Sequence, residues 1–85
     1  MGLEKIAEWC LWRIAEKIQN DIDPERKYNY VWVAIKRGFL GRKKYYIVVE
    51  GDLSAEDIDE IESWGFKLKK ELINERGEVE YWFEV

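Results

Sequence analysis

The sequence predicts a two-layer α+β sandwich in which two helices lie on one face of a four-stranded, mainly antiparallel sheet, with elements in the order αββαββ. Three observations predict it. Two segments carry apolar residues at helical spacing, four others alternate at period two or are rich in β-branched and aromatic residues, and Gly, Pro and Asn punctuate the joints between them. With 85 residues, 47% of them apolar and 38% charged, the chain can bury one core without cross-links, as a single domain over 1–85.

The first helix is expected over 3–20, where Leu3, Ile6, Ala7, Cys10, Leu11, Ile14 and Ile18 recur as one core stripe. Cys10, the single cysteine, reads as a small core hydrophobe on that stripe. Asp23-Pro24 turns the chain out of the helix. Segments 28–36 and 44–50 then form a long hairpin. Ser54 followed by Asp57 is an N-cap for the second helix, whose apolar face is Ile58, Ile61 and Trp64 and whose end is marked by Gly65. Segments 66–73 and 78–85 alternate at period two around Asn74-Glu75-Arg76-Gly77, a short hairpin loop with glycine at its left-handed position. Right-handed crossovers with both helices on one sheet face give an arrangement like a circularly permuted ferredoxin-like fold, with that fold's opening strand placed last.

Bulk properties narrow the function classes. The apolar runs 30–35 and 45–49 are far short of the roughly 20 residues a membrane span needs, and Glu4 and Glu8 stand where a signal peptide would be basic and then apolar, which implies a cytoplasmic chain. The net charge of −4 argues against a general nucleic-acid coat. The distribution is uneven, however: residues 36–44 hold five basic groups and no acidic one, leaving nine basic against eighteen acidic residues elsewhere. Abundant Lys, Glu and Arg with few labile residues suits a thermostable protein or an idealised, designed sequence.

Side-chain catalysis is not expected. Histidine and threonine are absent, the Ser54 hydroxyl is engaged by its helix cap, and Cys10 sits on the core stripe, so no activated nucleophile with a base emerges. The acidic cluster Asp52, Glu56, Asp57, Asp59, Glu60 and Glu62 lacks calcium-loop spacing and reads as the solvated face of the second helix. No glycine-rich phosphate loop follows a strand. Neither a cofactor, a metal nor a small-molecule substrate is implied.

Three surfaces remain. The first is the hairpin tip Lys36-Arg37-Gly38-Phe39-Leu40-Gly41-Arg42-Lys43-Lys44, read either as a solubilising loop with Phe39 and Leu40 folded back over the sheet or first helix, or as a positive, apolar finger for phosphates and a stacked base. The second is the sheet face away from the helices. With Val31, Val33, Ile35, Val79, Tyr81 and Phe83 inward, Tyr28, Tyr30, Trp32 and Trp82 point outward beside Lys67 and Lys69, as a nucleic-acid stacking platform or a self-associating sheet. The third is the pair Trp9 and Trp12 opposite the helix stripe, a docking point for a protein partner or a second subunit.

The function expected from these surfaces is a non-enzymatic binding or scaffold domain that self-associates through Trp9, Trp12, Tyr30, Trp32 and Trp82. The alternative is a single-stranded nucleic-acid-binding module that uses Lys36, Arg37, Arg42, Lys43 and Lys44 for phosphates and Phe39, Trp32 and Trp82 for stacking.

Overall fold

A computed structural model of the chain describes residues 3–85, with side chains from Glu8 onward. Its elements are α1 (Leu3–Ile22), β1 (Tyr30–Arg37), β2 (Lys43–Glu50), α2 (Ala55–Ser63), β3 (Lys67–Ile73) and β4 (Val79–Glu84). The four strands form one sheet in the order β1-β2-β4-β3, every neighbouring pair antiparallel. This is the expected αββαββ two-layer arrangement, and the strand order is compatible with a ferredoxin-like sandwich whose opening strand has moved to the end.

The core lies between the helices and one sheet face. Val31 and Val33 of β1, Ile47 and Val49 of β2, and Tyr81 and Phe83 of β4 meet Leu11, Ala15 and Ile18 of α1 and Ile61 of α2. Alternation along each strand puts these residues on one face, and burial of that shared apolar area drives the two layers together. Local chemistry fixes the ends of the elements. The Ser54 hydroxyl accepts from the Asp57 N–H at 3.1 Å while the Asp57 carboxylate accepts from the Ser54 N–H at 3.4 Å, so two orphan donors at the start of α2 are satisfied. Gly65 and Gly77 take the left-handed conformation at the end of α2 and in the β3–β4 turn, as their positions require.

Three expectations need correction. Cys10 is exposed, because α1 buries Leu11, Ala15, Ile18 and Gln19. The helix is therefore rotated by most of one residue's step of about 100° from the stripe its hydropathy suggests. Leu3, Ile6 and Ala7 have side chains outside the described residues. Ile35 is exposed, because the β1–β2 hairpin runs past the end of β4, whose pairing with β2 spans Tyr46 to Glu50. Trp64 caps the end of α2 and is also exposed, with the Lys17 ammonium 5.7 Å from its ring.

Candidate interaction surfaces

Gln19 explains why α1 lies as it does. Its side-chain amide is buried against β1, an edge strand: Nε2 donates to the Asn29 carbonyl at 2.9 Å and Oε1 accepts from the Val31 N–H at 2.9 Å. The amide thus copies the peptide group of a neighbouring strand and closes the first part of that edge. Nε2 also donates to the Asp23 carbonyl at 2.8 Å. Asp23 in turn holds the loop, its carboxylate accepting from the backbone N–H groups of Tyr28 at 2.6 Å and Asn29 at 2.8 Å. These two bonds, Tyr28 first, hold its carboxyl below the usual pKa. The Asn29 amide donates to the Asp52 carbonyl at 3.1 Å, tying the loop to the β2–α2 connection. Gly51 completes the join, for a Cβ there would land on the Tyr28 carbonyl oxygen and its φ is +101°. Sequence reasoning missed this cluster, since single polar residues give no periodic signal.

On the sheet face away from the helices, Trp82 does not stand open as alternation suggests. It is 8% exposed and Val48 beside it is 0% exposed. Lys36 and Lys70 place their ammonium groups 4.7 and 4.5 Å from the Trp82 ring, Tyr46 meets it edge-on at 5.3 Å, and its indole N–H donates to Glu80 at 3.0 Å. A register shift between Leu68 and Lys70 puts Lys70, not Lys69, opposite Trp82. Lys69 and Lys44 instead approach Glu84, each at 3.8 Å. Trp32 is half-buried and packs on Tyr30 at 5.6 Å between ring centroids. Tyr28 is exposed but lies before β1, outside the sheet.

Trp9 and Trp12 do reach solvent, at 59% and 45% exposure. With Glu16, Arg26 and Tyr30 they line a groove of about 300 Å³ between α1 and the β1 edge, and the Arg13 guanidinium lies 4.9 Å from the Trp9 ring. The hairpin tip is the other exposed apolar site. Phe39 and Leu40 do not fold back: they are 89% and 85% exposed on a single 3₁₀ turn closed by a 2.5 Å bond from the Gly38 N–H to the Arg42 carbonyl. Its expected phosphate-binding cations are divided, since Lys36 lies over Trp82 and Lys44 near Glu84. Lys43 is also engaged within the chain. No ion pair involves Arg37 or Arg42 among the described residues.

Of the acidic cluster around α2, Asp57 serves the helix cap and Glu62 accepts from the Leu68 N–H at 3.3 Å. Among the described residues no group of three or more His, Cys, Asp or Glu side chains is placed to hold a metal ion, and no helix is long and apolar enough to cross a membrane. Comparison with protein-family models, with curated proteins and with solved structures gave no match for this chain.

Proposed function

We propose that the chain is a non-enzymatic interaction domain that self-associates through the face formed by α1 and the β1 edge. The observation that carries this reading is the pair of tryptophans, Trp9 and Trp12, both exposed beside a groove that ends on Tyr30. Large aromatic surfaces left in water are characteristic of contact sites, where tryptophan and tyrosine contribute far more than their share of binding energy. The charges around them suit a two-fold contact. Arg13 and Glu16 stand on the same stretch of α1, and a two-fold axis sets each such patch against its own copy, so opposite charges can meet.

Sedimentation velocity over a micromolar concentration series tests the reading. The expected result is a reversible dimer that the Trp9→Ala/Trp12→Ala variant converts to monomer with its melting temperature little changed, because both side chains lie outside the core. A monomer at every concentration in the unaltered protein overturns it. The nucleic-acid reading loses support from Trp82, whose ring is occupied by Lys36 and Lys70, and rests on the hairpin tip and the half-buried Trp32.

A further inference from the structure

The β1–β2 hairpin is longer than the sheet that carries it. Lys36 and Arg37 pair with Lys44 and Lys43, whereas β4 pairs with β2 only over Tyr46 to Glu50, so a two-stranded ribbon projects beyond the body of the molecule. At its apex Phe39 and Leu40 are the most exposed large apolar residues described, and neither joins the core cluster. Leu40 is moreover held at φ +65°, in the left-handed region that disfavours any residue with a Cβ. A turn selected for stability alone would carry glycine or asparagine there.

Behind the apex the charge is of one sign, for 36–44 contains five cations and no carboxylate. Arg37 and Arg42, which flank the turn, make no ion pair among the described residues. The order along the finger is thus hydrocarbon at the end and guanidinium one step back. A leaflet of anionic lipid presents the matching order, acyl chains inside and phosphates outside. A single-stranded nucleic acid has a use for Phe39 as a stacking surface but none for an aliphatic side chain at the same apex.

We infer that this tip is a peripheral membrane-docking device: Phe39 and Leu40 enter the acyl boundary of an anionic bilayer while Arg37 and Arg42 lie against lipid phosphates. Two apolar side chains and two cations make such docking shallow, reversible and sensitive to salt. It does not depend on self-association through α1, which uses a different surface.

Co-sedimentation with vesicles of equimolar phosphatidylserine and phosphatidylcholine tests the inference. The protein is expected to bind at low salt, to dissociate as salt rises, and to ignore vesicles of phosphatidylcholine alone. Phe39→Ser/Leu40→Gly should weaken partitioning by about tenfold or more, since it removes both inserted side chains, while its melting curve is retained. Arg37→Gln/Arg42→Gln should remove the preference for the anionic lipid. Failure of the unaltered protein to bind at low salt overturns the inference, as does equal binding by the Phe39/Leu40 variant. A Phe39-dependent complex with an oligothymidylate strand in the absence of vesicle binding assigns the tip to nucleic acid instead. The Trp9→Ala/Trp12→Ala variant, made as a control, should bind vesicles through the intact tip, which separates this result from the fate of the self-association reading.

Discussion

Gln19 shows how much one side chain can settle. It is buried on the core side of α1 yet scores as polar in any hydropathy pattern, and its amide takes the place of a missing neighbour strand beside Asn29 and Val31. Gln19→Leu keeps the volume but strands the Val31 N–H and the Asn29 carbonyl away from water, while the Asp23 carbonyl keeps its bond from the Arg26 N–H. We expect a loss of about 2–4 kcal/mol in urea-unfolding free energy, the usual cost of orphaned buried polar groups. Asp23 is the acid-sensitive part of the same cluster. The Tyr28 and Asn29 N–H groups favour its carboxylate, so its pKa is lower folded than unfolded. The stability this contributes is present above the ordinary carboxyl value of about 3.9 and is lost as pH falls through the depressed folded value. Melting temperature followed below pH 4 should therefore fall more steeply in the unaltered protein than in Asp23→Asn, which starts lower and carries no titrating group there.

At the scale of elements, what was legible in the sequence was what repeats. Both helices, both hairpins, the Ser54–Asp57 cap and the left-handed Gly77 follow from periodicity or from local turn chemistry, and the structure has them within a few residues of their expected bounds. Rotation of α1 was not legible, because the stripe that includes Cys10 and the one that includes Gln19 overlap at Leu11, Ile14 and Ile18, and only contact with β1 selects between them. The register shift in β3 was hidden for a similar reason. Lys67, Lys69 and Lys70 are interchangeable to a hydropathy pattern, and which of them lies over Trp82 is settled by pairing with β4. Trp9, Trp12, Phe39 and Leu40 stand out in the sequence as unusual residues, but that they stay exposed and do not fold inward is a tertiary matter.

For the molecule as a whole, a two-layer sandwich leaves one sheet face without a covering layer, and this chain covers it with side chains of its own. Trp82 sits beneath a roof of Lys36, Lys70 and Tyr46, both ammonium groups over its indole ring, and Val48 is fully buried beside it. The protein thus has a small second core on the side where alternation suggests a binding platform. The two roles predict opposite consequences for Trp82→Ala. An open platform residue would cost little stability and abolish binding of a ligand. A buried, clamped indole should cost about 3 kcal/mol in chemical unfolding, toward the low end for large-to-small core changes because its roof of flexible lysines can partly collapse into the space. Sedimentation of the same variant separates the faces further. If association uses α1 and the β1 edge, Trp82→Ala under native conditions remains as dimeric as the unaltered chain, because Trp82 lies on a central strand away from Trp9 and Trp12. A variant that stays fully stable but becomes monomeric would return the outer sheet face to the role of interface and displace α1 from it.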